Sequence, residues 1–559
     1  MSETPFVMLA HLGEQLEGTT KRTELAALLA AFLRQLPPEE IPPAVRLTIG
    51  QVFPEWDGRA LNVSGKAVWG VIDELTDPPD ALRREVSAQA VDPGQAAGML
   101  FEKARRDPPG PPPLTIVGVY HSFEAIAESS GRGSRARKEA LLRELFVRAT
   151  PTEAKYLVKV INQEMRHGVN EGIMLDGIAK AGKVKTRAVR RANQLWGDLG
   201  EVALVTLTEG QAGLERATLR LFRPIKPMLA QTAEEHAEAF ERYGGQIALE
   251  YKLDGARVQI HRQDDHVRIY SRTLSDVTAS LPDVVAEVKD KLSAREAIVE
   301  GEAVAVDAQG RPLPFQHLMR RFRRVHDVAA TVLEIPVQLH LFDALYVDGR
   351  LLIDAPNTER WAALEGAMGG QCLVRRSRPA TIEEAEAFAE RAYRDGHEGV
   401  MAKELDSAYT PGMRGKSWLK LKHVISLDLV IVAADWGYGR RHGWLSNYHL
   451  AARDGDTGEY PVVGKTFKGL TDAEFIEMTQ TLLALERSRQ GSTVHVRPQV
   501  VVEVLFNEIQ ESSQYKSGLA LRFARIARVR EDKAPADAET LQGLRQLYDQ
   551  QFRYKGQRI

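Results

Sequence analysis

At 559 residues the chain is too long for one hydrophobic core, so several domains are expected. With 43% hydrophobic and 27% charged residues it reads as ordinary globular protein; no apolar run approaches the ~20 residues of a membrane span, and MSETPFVMLAHLGEQ lacks the basic-then-apolar pattern of a secretory signal. The lone cysteine, Cys372, excludes an intrachain disulfide and a zinc site made of several cysteines, and a cytoplasmic location is expected.

The net charge of −2 hides local clustering. The segment GRGSRARK (131–138) carries Arg132, Arg135, Arg137 and Lys138 with no acid, and KAGKVKTRAVRR (180–191) carries six basic residues, again with no acid. Two such patches on a nearly neutral chain suit a partner rich in phosphate.

In chain order, residues 1–107 read as helices; TELAALLAAFLRQL shows apolar residues three and four apart, with Thr23 placed to cap its start. GPPPLT (110–115) reads as an exposed connector, and helical periodicity resumes over 121–213 in KEALLRELFVRA and EAKYLVKVINQEM. Glycine turns interrupt it at GRGS (131–134) and HGVNEG (167–172), and a helix start after such a turn offers free N–H groups to a phosphate. Prolines in LFRPIKPMLA (221–230) forbid a continuing helix. Beyond them QIALEYKL, ARVQIHR, VRIYSR, AIVEGEAVAVD and VQLHLFDALYV read as strands, with the helix IEEAEAFAERAYR intervening, in a mixed α+β domain to about residue 422. After 423, LDLVIVAADWG, NYHLAARDGDTGEY, VVGKTF, a helix near 471–487, VVVEVLF and RFARIARV fit a small β-barrel of the OB type.

The chemistry centres on EYKLDGAR (250–257). Glu250 and Lys252, two apart on a strand, share a face; Asp254–Gly255 read as a turn that returns Arg257 on the next strand. A lysine attacks phosphorus only when neutral, and with an ordinary pKa of about 10.4 roughly one in a thousand is neutral near pH 7.5, a cost of ~4 kcal/mol that neighbouring cations or desolvation must offset.

KLDGAR resembles the first motif of the covalent nucleotidyltransferases, and further motifs of that superfamily follow in order: YSR with Arg272, VEGEAVA with Glu302, LFDALY with Phe342, HEGVMAK with Glu398 and Lys403, and YTPGMRGKSWLKLK with Arg414, Lys420 and Lys422. The carboxyl-terminal FNEIQESSQYKSGLALRFARIARVREDK resembles the last motif of ATP-dependent DNA ligases through Arg522 and Arg525, with Ala524 where that family usually has proline. FEAIAESSGRGSRARK and YLVKVINQEMRHGVNEGIMLDGIAKA resemble the helical DNA-binding domain of its archaeal and eukaryotic replicative-type members.

The resemblance implies an all-α DNA-binding domain (1–215), an α+β nucleotidyltransferase domain (216–422) and a β-barrel OB-fold domain (423–559). It implies ATP as cofactor, Lys252 as the nucleophile that takes AMP, and an ATP pocket of Glu250, Arg257, Arg272, Glu302, Phe342, Lys403, Arg414, Lys420 and Lys422. Mg2+ is expected on Glu302 and Glu398, pyrophosphate orientation from Arg522 and Arg525, and DNA contacts from Gly133, Ser134, Lys138, Arg166 and Gly168. Nicked double-stranded DNA is the expected partner of a nucleoid-associated monomer, with a sliding clamp as a further partner and no membrane. RNA ligases and capping enzymes share the lysine motif without needing the long helical amino-terminal part, and an NAD-dependent ligase would need a cysteine-rich zinc module that Cys372 cannot build. A non-enzymatic scaffold for nicked DNA is the alternative from another class.

Overall fold

A computed structural model describes residues 3–551 apart from 106, 234–235, 314, 324–331, 333 and 423–424; the side chains of 236–237, 315–316, 323, 422 and 551 are also outside the description. From Phe6 to Glu215 the chain is helical. Local signals mark many helix starts: Ser64, Asp92, Thr115 and Asn170 each accept from a backbone N–H, and Thr150 and Glu153 form a reciprocal capping box. Thr23 does not cap. Its helix runs Arg22–Leu33 behind Lys21, so Thr23 lies inside the first turn, while Thr19 accepts from the Lys21 N–H and donates to Glu24.

The middle domain is built on two five-stranded sheets. Its strands are β1 (Leu229–Ala233), β2 (Ile247–Lys252), β3 (Ala256–Gln263), β4 (His266–Ser271), β5 (Glu296–Ala305), β6 (Val337–Val347), β7 (Arg350–Leu351), β8 (Arg376–Ser377), β9 (Gly399–Glu404) and β10 (Arg414–Lys422). One sheet has the order β1-β10-β9-β2-β8, antiparallel except for β1 on β10; the other has the order β4-β3-β5-β6-β7. Strand alternation sorts the residues of both. In the first sheet Leu249, Tyr251, Val400, Ala402 and Leu419 pack in one core with Ala385 and Phe388 of the helix Ile382–Arg394. In the second, Val258, Ile260, Val299 and Leu341 pack with Val284, Val288 and Leu364 of the helices Pro282–Lys291 and Asn357–Met368. The intervening residues, polar in β2, β5 and β10, are left for the opposite faces.

The helical domain and the middle domain share one core, which runs from Phe6 to Met228 and continues through Ile298, Leu345, Ile353, Tyr409 and Trp418. Lys226 bridges to Glu55 and Glu171, and Ile225 exchanges hydrogen bonds with the Gln259 side chain, so the proline-bearing segment is pinned on both sides. The third domain closes its main core within residues 429–544. Its strands are β11 (Ile425–Trp436), β12 (Leu445–Ala451), β13 (Val462–Thr466), β14 (Glu486–Gln490), β15 (Thr493–Phe506), β16 (Glu508–Glu511), β17 (Leu519–Arg522) and β18 (Arg525–Val529). They form a sheet β13-β12-β11-β15-β14, with β18 on β15, and a ribbon β16-β17. The helix Asp472–Ala484 starts at a Thr471–Glu474 capping box; a second helix, Leu541–Gln551, follows the last strand.

Candidate active site

Lys252 ends β2, and Ala256 opens β3 in the other sheet. The turn expected at Asp254–Gly255 is therefore a crossover between sheets. Glycine is required there: a Cβ on residue 255 would lie 2.4 Å from the Ala303 carbonyl oxygen and 2.9 Å from Glu302 Cγ. The close approach draws the lysine strand against β5. From the other side, the Glu398 N–H donates to the Lys252 carbonyl at 3.0 Å, and its carboxylate oxygen lies 2.5 Å from Lys252 Nζ. Burial pushes Glu302 up to about 7; Glu398 and Asp254 push the same way, and Lys252 and Arg257 oppose them. The amine thus sits among more carboxylates than it can neutralise.

Behind it the same face of the sheet is dry. Glu250 is 2% exposed and accepts from Arg376 Nη1 at 2.7 Å and Lys403 Nζ at 2.6 Å. Lys403 also donates to the Phe342 carbonyl at 3.2 Å and lies 4.6 Å from the Phe342 ring centre and 4.2 Å from that of Trp418. The Lys403 charge, expected among the cations around the triphosphate, is committed to Glu250 and two rings, and burial lowers the pKa of its amine. Register explains the position: Lys403 pairs with Ala248 and Trp418, four rows from the Lys252–Gly399 row. Phe342 is half-buried and meets Trp418 edge-on at 6.2 Å.

Arg257 is also occupied. It donates to Glu300 at 2.6 Å, to the Met228 carbonyl at 2.6 Å and to the Tyr409 hydroxyl at 3.2 Å, under Phe342 and Trp418. Glu300 therefore offsets much of the Arg257 charge.

Lys420 lies half-buried on β10 opposite Met401, in the row of Glu250. The Lys422 backbone is opposite Gly399, in the row of Lys252; its side chain lies outside the described residues. Arg414 and Arg272 are exposed, at the start of β10 and just past the end of β4. In the third domain Arg522 lies 3.3 Å from Glu508, and Arg525 opens β18. Between them Phe523 has φ +59° and is exposed, and the Ala524 carbonyl accepts from Thr466 at 2.6 Å. Among the described residues no group of three or more His, Cys, Asp or Glu could hold a metal. A pair of carboxylates, Glu302 and Glu398, still fits Mg2+, which keeps much of its shell as water and substrate phosphate.

Comparison with known proteins accounts for this arrangement along the whole chain. Residues 5–179 match the DNA ligase N terminus, 227–422 the ATP dependent DNA ligase domain and 441–533 the ATP dependent DNA ligase C terminal region. DNA ligase 1 of Korarchaeum cryptofilum is 45% identical over 548 residues, covering 98% of each chain. The DNA ligase of Thermococcus onnurineus is 43% identical over 562 residues, covering 100% of both. The chain belongs to the ATP-dependent DNA ligase family. The solved structure Pmar-Lig_PreS3, 17% identical, shares the fold with a TM-score of 0.53 over 93% of this chain and 99% of its own.

Within the ligase N-terminal region, the helix Ser134–Arg148 begins behind Gly133 at φ +78°, with Ser134 in its first turn. Gly168 has φ +77° two residues before Asn170, which caps Glu171–Gly182. Lys138 and Arg166 are held by protein: Lys138 Nζ donates to the Leu61 and Asn62 carbonyls at 2.7 and 3.3 Å, and Arg166 binds Glu164 and the Val91 carbonyl. Sequence reasoning missed Arg376, Trp418, Glu300 and Tyr409. Trp418 was accessible, two residues before Lys420 on one strand; Arg376 gives no signal, because its strand is two residues long.

Proposed function

We propose that the protein seals nicks bearing a 3′-hydroxyl and a 5′-phosphate in duplex DNA, with Lys252 carrying AMP between ATP and the DNA. The observation that supports this best is the placement of Lys252: a partly exposed amine, 2.5 Å from Glu398 and close to Glu302, on the sheet face that also bears Glu250 and Trp418. In this reading the amine attacks the α-phosphorus of ATP, a nitrogen–phosphorus bond forms and pyrophosphate leaves. AMP then passes to the 5′-phosphate, and the 3′-hydroxyl attacks that phosphorus in line as AMP departs.

The chain's residues act by position and charge. Glu398 holds and orients the amine through its side chain and its N–H. Phe342 offers the base a ring, and Lys420, with Lys422, Arg414 and Arg272, offers cations to the phosphates. Glu302 and Glu398 would hold Mg2+, which when bound screens phosphate charge and favours the neutral amine. The third domain, an OB-type barrel in this reading, brings Arg522 and Arg525 to the pyrophosphate and then swings away; a core closed on itself suits a unit that moves as one body. DNA is gripped at the helix starts at Gly133–Ser134 and near Gly168, through their N–H groups, while Lys138 ties the first of these helices to residues 61–62 and Arg166 ties the segment before Gly168 to Val91.

The test is a nick-sealing assay with ATP, NAD and GTP in parallel, on DNA and RNA nicks. Sealing of DNA with ATP alone is expected; preferred sealing of RNA, or sealing with NAD, overturns the reading. Nick affinity should fall steeply and linearly with salt on logarithmic axes, and a flat line removes the phosphate footprint.

A further inference from the structure

Base selection needs a polar group whose direction is fixed before the nucleotide arrives. Glu250 is such a group. It lies two residues from the candidate nucleophile on the same face, and Lys403 links it to Phe342 through two contacts of 2.6 and 3.2 Å. Ionised, a carboxylate only accepts hydrogen bonds, with room for about two on each oxygen. Here each oxygen already receives one cation, which leaves acceptor capacity on a carboxylate almost closed to water.

Of the two cations, Arg376 gives the carboxylate its direction. Its own position is fixed at three points: Nη1 on Glu250 at 2.7 Å, Nη2 on the buried Asn357 side-chain oxygen at 2.7 Å, and the guanidinium 4.4 Å from the Trp361 ring centre. Backbone register puts Arg376 directly opposite Glu250, and its side chain is 8% exposed. A planar guanidinium fixed in this way holds one carboxylate orientation, whereas the Lys403 ammonium is a point charge shared with a carbonyl and two rings.

We propose that Arg376 is a positioning residue for nucleotide choice: it holds Glu250 as an acceptor for the 6-amino group of a purine and so selects adenine. A purine with a carbonyl at that position would set oxygen against carboxylate. The inference rests on the reading above that the base lies along Phe342 in this cleft.

The experiment measures the first step, formation of the protein–AMP adduct, with ATP and with purine riboside triphosphate, which lacks the 6-amino group. The intact protein should prefer ATP by about tenfold or more in kcat/KM, the worth of one hydrogen bond to a charged acceptor. Arg376→Met should shrink the preference to within about threefold, mainly by raising KM for ATP, while the analogue's kcat/KM changes little. Arg376→Lys should restore part of the preference. Should Arg376→Met fold poorly, Asn357→Ala, which frees one edge of the guanidinium, should give an intermediate loss. Equal losses for ATP and the analogue would make Arg376 merely structural and overturn the proposal. Equal use of both nucleotides by the intact protein would instead remove Glu250 from the base and overturn the parent reading with it.

Discussion

Two lysines on one face of one sheet meet different fates. Lys252, at the end of β2, is 21% exposed and pairs with one carboxylate near two others. Lys403, four rows away on β9, is 2% exposed, pairs with Glu250, donates to a carbonyl and faces two rings. The first is held loosely enough to exchange its partner for a substrate; the second is part of the wall. Residue type and strand parity are the same for both, so depth in the sheet decides which lysine is available for chemistry.

The largest expected effect lies at the exposed end. Lys252→Ala should reduce nick sealing to background while leaving the unfolding midpoint nearly unchanged, since a partly exposed pair contributes about 1 kcal/mol or less. Lys403→Met should reverse the emphasis: breaking a buried pair costs about 3 kcal/mol or more, read as a clear drop in the denaturation midpoint. If the two variants proved equally stable, the contrast between them would fail. Gly255→Ala sharpens the comparison from the crossover, because its methyl group must displace the Ala303 carbonyl or Glu302; a loss of about 1–3 kcal/mol is expected, with slower adduct formation. Smallest is Arg272→Ala at an exposed position, expected to move stability by less than about 0.5 kcal/mol, so that any loss of adduct formation reports a nucleotide contact.

Periodic features were legible in the sequence. The helix Ile382–Arg394 coincides with IEEAEAFAERAYR, and β6 spans VQLHLFDALYV, because amphipathic spacing over a dozen residues leaves few alternatives. Parity placed Glu250 and Lys252 together. Lys403 entered the pocket through its motif alone, and its burial was not legible, since alternation gives the face of a strand and not its depth. Asp-Gly marks a change of direction without saying which sheet comes next, so the turn and the next strand were legible but the passage between sheets was not. Arg376 was invisible because its neighbours are set by a pairing 126 residues away. The helix Leu541–Gln551 went unread although Leu541, Leu544, Leu547 and Tyr548 carry its apolar spacing.

The contrast between the two lysines is tested most directly by incubating the intact protein with ATP labelled at the α-phosphate and mapping the adduct by peptide mass spectrometry. AMP is expected on Lys252 alone. Label on Lys403, Lys420 or any other residue, or on the Lys252→Ala protein, would contradict it.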